Sequence, residues 1–219
     1  MFDANCLKLM FVAGSQDFYH IKGGKNDRIN ALLDALELAL QSKITAFQFR
    51  QKGDSALQDP IEIKRLALEC QKRCQKYDTP FIVNDEVQLA LELKADGVHV
   101  GQEDMAIEEV MTLCKKRLFI GLSVNTLEQA LKARHLDGVA YLGVGPIFPT
   151  QSKKDKQVVG VELLKKIKDS GVKKPLIAIG GITMHNASKL REYGGIAVIS
   201  AIAQAKDKAL AVEKLLNNA

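Results

Sequence analysis

At 219 residues, with 47% hydrophobic and 26% charged residues, the chain has the balance of an ordinary globular protein, enough for one sizeable core but short for two domains. No apolar run approaches the roughly 20 residues needed to cross a bilayer, so no membrane partner is expected. The formal charge of +5 is mild, there is no Trp, and no basic run is interleaved with aromatics, which argues against nucleic acid.

The N-terminal stretch MFDANCLKLMFVAGSQ lacks the basic segment, long apolar run and cleavage site of a secretory signal, so a cytoplasmic location is expected. Leu7–Ala13 reads as a first strand, followed by a helix with Ile29, Leu32, Leu33, Leu36 and Leu40 on one face. Ile44–Phe49 is a second strand and Asp59–Gln75 a helix. Pro80–Val83, Gly97–Val100, Leu118–Ser123 and Val139–Val144 read as strands three to six. Helices over Glu86–Leu93, Ala106–Lys115 and Thr126–Arg134 separate them. A long polar loop over Gly145–Val159 precedes a helix ending near Lys168. Pro175–Ile179 and Ile196–Ser200 are the last strands, followed by helices over Met184–Arg191 and Asp207–Leu216 respectively.

Strands separated by helices favour parallel pairing and right-handed crossovers. Eight such units in one domain, 1–219, point to an α/β fold of the (β/α)8 TIM-barrel type. An open doubly wound sheet is the alternative, but the first strand-to-helix turn lacks the G-x-G-x-x-G pattern that often marks one. The cysteines form no metal pattern: Cys70, Cys74 and Cys114 fall on apolar helix faces and Cys6 lies near the N-terminus. They are expected to be small apolar residues in a reducing compartment.

A barrel of this kind gathers its chemistry at the C-terminal ends of its strands. Alternation places Gln48, Arg50 and Lys52 on one face at the end of strand two, either as a phosphate cradle or as an exposed basic strand end. Asp85 after strand three and Asp104 after strand four can converge on one Mg²⁺, which commonly takes one or two protein carboxylates; spacing alone leaves the neighbouring Glu86 and Glu103 open as well, and the competing role is helix capping. His99 faces the barrel interior, either satisfied in the core or touching substrate. Thr150, Ser152 and Lys153 make the loop after strand six an anion-binding lid or simply a long surface loop. Gly180-Gly181 and Ile199-Ser200 end strands seven and eight, where barrels often hold a phosphate on backbone N–H groups.

The ordered strings QFRQK, FIVNDEVQLALELKADGVHVGQEDM, IGLSVNTLEQA, YLGVGPIFPTQSKKD and PLIAIGGITMHNA...AVISAI resemble the thiamine-phosphate synthase family from about Gln48 to Ala205. The resemblance implies a transferase that joins a pyrimidine diphosphate to a thiazole phosphate with Mg²⁺, releasing pyrophosphate. It implies that Gln48, Arg50, Lys52, Asn84, Ser123 and Lys153 hold the pyrimidine diphosphate, with Phe49 and Gln51 of the same segment also in the substrate site. Arg50, Lys52, Ser123 and Lys153 would be catalytic, and Asp85 and Asp104 would bind the metal. Thr150, Ser152, Gly180, Gly181, Ile199 and Ser200 would complete the substrate site on the thiazole-phosphate side, and Gln151 would also belong to the substrate site. Both partners are small molecules, and a homo-oligomer is compatible with the sequence.

Some positions depart from that family. Gln51 stands where Glu is usual, Ser152 where Thr is usual and Asn125 where many members carry His. The first strand and its loop match the usual start poorly. Thiazole tautomerases share the barrel and phosphate site but generally lack the two metal carboxylates and place a working His at position 125. A non-catalytic phosphate-ligand sensor is the rival of another class, though it need not keep Asp85, Asp104, Arg50 and Lys153 together.

Overall fold

A computed structural model describes residues 2–53, 55–115, 117–150 and 157–218. Eight strands form one closed parallel barrel, each paired with the next in the chain and the eighth with the first. They are β1 (Leu9–Ala13), β2 (Ala46–Phe49), β3 (Phe81–Asn84), β4 (Gly97–Val100), β5 (Phe119–Val124), β6 (Val139–Val144), β7 (Leu176–Ile179) and β8 (Gly195–Val198). The helices are α1 (Lys25–Gln41), α2 (Pro60–Lys76), α3 (Val87–Leu93), α4 (Ile107–Cys114), α5 (Leu127–Ala133), α6 (Gly160–Asp169), α7 (Ser200–Ala203) and α8 (Lys208–Asn218). Closure leaves no strand edge to seek another chain.

Two apolar layers follow from the two-residue period of each strand. Outward residues such as Phe11, Phe47, Phe81 and Leu142 pack against Leu32, Leu36, Cys70, Cys74 and Leu164 from the helices. The Phe11 and Phe47 rings lie 5.6 Å apart, and Phe47 and Phe81 lie 6.3 Å apart. Each such buried side chain contributes roughly 1.5–3 kcal/mol relative to exposure. Inward residues Met10, Val12, Ala46, Ile82, Tyr141, Ile177 and Ala197 fill the barrel itself. Phe2 closes the end away from the strand C-termini, with its ring 5.2 Å from Phe119 and 6.1 Å from Tyr141.

Local signals set the element ends. Asp59 accepts from Ile61 N at 2.9 Å and Pro60 occupies the first turn of α2, a start that requires no N–H from the proline. Several elements differ from the sequence expectation by two residues or more; β2, for one, starts at Ala46 and not at Ile44. Leu7 belongs to a 3-10 turn, Ala4–Leu7, capped by Asp3, so β1 starts at Leu9. The helix expected over Met184–Arg191 shrinks to a 3-10 turn, Ala187–Leu190, because the Asn186 amide captures Thr183 N and Gly181 O. β8 ends at Val198, and Ser200 opens α7 instead of ending the strand. Cys70, Cys74 and Cys114 are free and buried, and Cys6 is partly so. Burial, with the charges of Asp3 and Asp96, pushes the Cys6 thiol up to about 11, so it stays an unreactive thiol.

Candidate active site

The end of β2 sends alternate side chains to opposite sides. Gln48 is buried toward the barrel axis, and Arg50 and Lys52 follow it at the rim. Lys52 Nζ donates to Asp85 Oδ2 at 2.6 Å and to Asp104 Oδ1 at 3.3 Å. Residues from three successive β–α loops therefore meet on one ammonium. Asp85 holds φ at +63°, a left-handed conformation that Asp tolerates better than most residues. Its N–H still bonds His99 O at 2.8 Å, extending the β3–β4 ladder one residue past the strand. Asp104 Oδ2 accepts from Gly101 N at 2.8 Å, and a Cβ at Gly101 would lie 2.7 Å from that oxygen. Glycine is needed there for the approach of the carboxylate.

Neither aspartate caps a helix: α3 follows Glu86 and α4 follows Ala106, without side-chain caps. Burial raises the Asp85 carboxyl above its usual range, Lys52 opposes this, and Asp104 adds to it. Burial also works on Asp104, but bonds from Asp85, Gly101 N–H and Lys52 outweigh it and hold Asp104 below its usual range. Burial tends to lower the Lys52 ammonium, yet the two carboxylates raise it overall. Among the described residues no third His, Cys, Asp or Glu joins the pair. Two carboxylates suit Mg²⁺, which takes its remaining oxygens from water and phosphate.

Arg50, Asn84, His99 and Ser123 line the same cavity as this cluster, with a volume of about 340 Å³. His99 joins Tyr141 Oη at 3.0 Å through Nδ1 and Ser123 Oγ at 2.9 Å through Nε2, so it is hydrogen-bonded in the barrel interior. Glycines make room for it: a Cβ at Gly121 would lie 2.2 Å from Tyr141 Cζ, and one at Gly143 2.8 Å from His99 Cε1. Gln102 Nε2 donates to Ser123 O at 2.6 Å. Asn125 donates through Nδ2 to Gly145 O, and its N–H bonds Gln129 Oε1 at 2.7 Å, so it ties the β5 and β6 loops together.

A second cavity adjoins the first, lined by Gly145, Pro146, Thr150, the Ile179–Ile182 turn and Ala197–Ser200. Gly180 and Gly181 have φ of +99° and +65°. Ile147 N and Phe148 N bond Ile179 O and Gly180 O at 2.9 and 3.0 Å. A Cβ at Gly181 would lie 2.4 Å from Pro149 O, so this turn needs glycine for both its φ and its close packing. Thr150, Gly180, Gly181, Ile199 and Ser200 are thus brought together. Gln151, Ser152 and Lys153 lie outside the described residues.

Phe49 and Gln51 are not brought to these cavities. Phe49 points into the outer core, with its ring 6.3 Å from Phe81. Gln51 Oε1 accepts from Ser15 Oγ at 3.2 Å and Leu57 N at 3.1 Å. Its Nε2 is buried without a partner among the described residues; an acceptor-only carboxylate would leave no such donor there. Sequence reasoning missed Tyr141, whose signal was the glycine paired with it at position 121. It also missed Gln16, which bonds Arg50 O at 2.7 Å, and Asp17, which accepts from Gly14 N at 2.8 Å. Burial pushes the Asp17 carboxyl up to about 6 against the pull of Gly14 N–H, Arg50 and Gln16. Both sit on the β1 loop, where the motif match was poorest.

The arrangement combines a cationic and carboxylate cavity with an adjoining backbone-lined one, which suits two anionic ligands held side by side. Comparison with known proteins narrows this. Residues 18–202 match the thiamine monophosphate synthase family. The chain is 94% identical to a thiamine-phosphate synthase of Helicobacter pylori strain Shi470, across 100% of both chains. It is 52% identical to one of Pasteurella multocida, across 97% of this chain and 96% of that one. A solved thiamine phosphate pyrophosphorylase from Pyrococcus furiosus superimposes with a TM-score of 0.81 at 36% identity, covering 98% of this chain and 96% of that one. The chain belongs to the thiamine monophosphate synthase family, a family of transferases.

Proposed function

We propose that the chain transfers the 4-amino-2-methylpyrimidin-5-ylmethyl group from its diphosphate to the ring nitrogen of a thiazole phosphate, giving thiamine phosphate and pyrophosphate; from the carboxylated thiazole phosphate the same transfer also releases CO2, and the ring carbon that carried it takes up a proton. The observation that carries this assignment of residues is the meeting of Asp85 and Asp104 on Lys52, 2.6 and 3.3 Å away, beside the glycine-turn cavity.

The pyrimidine diphosphate belongs in the larger cavity. Arg50 and Lys52 supply charge to the diphosphate, Gln48, Asn84 and Ser123 supply neutral polar contacts, and Lys153 is assigned to the same ligand by the family resemblance alone. Asp85 and Asp104 would hold Mg²⁺, which when bound adds positive charge at the diphosphate. The thiazole phosphate belongs in the cavity of Gly180, Gly181, Ile199 and Ser200, which Thr150 also lines; Gln151 and Ser152 are assigned to the substrate site by the family resemblance alone. The bond from the pyrimidine methylene carbon to the diphosphate oxygen breaks, and its electron pair leaves with pyrophosphate. The thiazole nitrogen lone pair forms the new C–N bond. With the plain thiazole phosphate no proton moves in that exchange, so stabilising the departing charge is the main demand, and Arg50 and Lys52 suit it. The small-molecule partners leave no role for nucleic acid. The cytoplasmic setting remains our reading of the sequence; among the described residues no helix is long and apolar enough to cross a membrane.

A tautomerase reading is disfavoured by Asn125, whose amide is engaged by Gly145 O and offers no titratable group. A sensor reading leaves the paired carboxylates without a task. The test is to mix the protein with both phosphorylated substrates, with and without Mg²⁺, and follow thiamine phosphate and pyrophosphate. Both products should appear in equal amounts only when Mg²⁺ is supplied. Absence of both products with Mg²⁺ present would overturn the transfer reading, and equal rates without Mg²⁺ would overturn the metal assignment.

A further inference from the structure

Three side chains form a polar column inside the barrel: Tyr141 from β6, His99 from β4 and Ser123 from β5. Tyr141 is completely buried, and among the described residues its hydroxyl has one hydrogen-bond partner, His99 Nδ1 at 3.0 Å. Burial, with the thiolate that Cys6 becomes only at high pH, raises the phenol far above its usual range, so the hydroxyl keeps its proton. A buried O–H donor without an acceptor is costlier than a phenol oxygen with an unused lone pair. The Tyr141 proton is therefore directed at Nδ1. A neutral imidazole that accepts at Nδ1 carries its own proton on Nε2. That N–H faces Ser123 Oγ at 2.9 Å, and among the described residues this is the only hydrogen bond of the serine oxygen. With one of its lone pairs engaged by His99, Ser123 keeps its own proton to donate into the cavity it shares with Arg50, Lys52 and Asn84.

We propose that Tyr141 is a positioning residue that sets the direction of this column, Tyr141 to His99 to Ser123, so that Ser123 meets the ligand as a hydrogen-bond donor to a diphosphate oxygen. The identity of the ligand rests on the proposed function; the direction of the column does not. Reversing the tautomer would make Ser123 donate back to His99 and present a lone pair to an anion, which repels it. The packing maintains the order, because Gly121 and Gly143 leave space that the His99 and Tyr141 rings fill.

The first measurement is ¹⁵N NMR of His99 in the ligand-free protein, above the ordinary imidazole titration range. The expected spectrum has a pyridine-type Nδ1 and a pyrrole-type Nε2; the opposite assignment overturns the proposal whatever the enzyme's activity. The second uses pyrophosphate alone as ligand, which tests the diphosphate and not the pyrimidine ring. Tyr141→Phe should lose the Nε2–H preference and weaken pyrophosphate about tenfold, the scale of one hydrogen bond. Ser123→Ala should weaken it by a similar factor, and the double variant by little more than either. Unchanged pyrophosphate affinity in both single variants, or fully additive losses, would overturn the role assigned to Ser123. If Tyr141→Phe does not fold, the wild-type spectrum and Ser123→Ala still decide the matter. Loss of thiamine phosphate synthesis with an Nε2–H spectrum intact would count against the proposed function and leave the column standing.

Discussion

Lys52 Nζ lies 2.6 Å from Asp85 Oδ2, and the aspartate reaches it from a backbone turned into the left-handed region at φ +63°. That conformation costs roughly 1–2 kcal/mol for a residue with a Cβ. The bond from Asp85 N to His99 O holds the turn, so the strain serves to aim a carboxylate back over the barrel mouth.

Asp85→Asn and Asp104→Asn keep the side-chain shape, and Asn accepts the same φ. Each variant should fold and melt close to the parent. Turnover should fall by on the order of 10²-fold or more, the scale seen when an electrostatic partner of a developing charge is removed. Steady-state kinetics with a circular-dichroism melt checks both halves. Full activity in both variants would end the metal assignment.

Gly181→Ala puts a Cβ 2.4 Å from Pro149 O at φ +65°, so the turn must move. The KM for thiazole phosphate should rise at least about tenfold, as expected for loss of one or two well-aligned backbone contacts. The KM for the pyrimidine diphosphate should change little, because that ligand is assigned to the neighbouring cavity. Equal changes in both would count against the division of the site.

Asp17 supplies a pH dependence whose sign is fixed. Its carboxyl titrates near 6 when folded against a reference of 3.8, so the folded state binds its proton more tightly. Its contribution to stability is full below about pH 4 and is lost as pH rises through 6. The difference amounts to on the order of 2–3 kcal/mol. Denaturant unfolding of the parent and Asp17→Asn across pH 4–7 should show the parent losing stability relative to the variant as pH rises. A constant difference between the two would mean that the burial of Asp17 does not govern its ionisation.

The barrel was legible because its signals are local. Strand and helix periods can be read within a window of ten residues, and eight alternating units leave few other ways to bury every apolar face. Gln48, Arg50 and Lys52 were legible as one face for the same reason, and so were the glycines of the β7 turn. Phe49 and Gln51, lying between those alternating residues, face the other way. The run Met184–Arg191 misled because its spacing suits a helix, whereas the Asn186 amide intercepts the backbone of that turn.

The sequence by itself determined the alternation of elements, their inward and outward faces and the rim residues. Only the tertiary structure decided which of those residues touch: Lys52 with partners 33 and 52 positions away, and His99 with Ser123 and Tyr141, 24 and 42 away. Such contacts depend on the register between strands and on closure of the sheet, and both are settled by packing of the whole barrel.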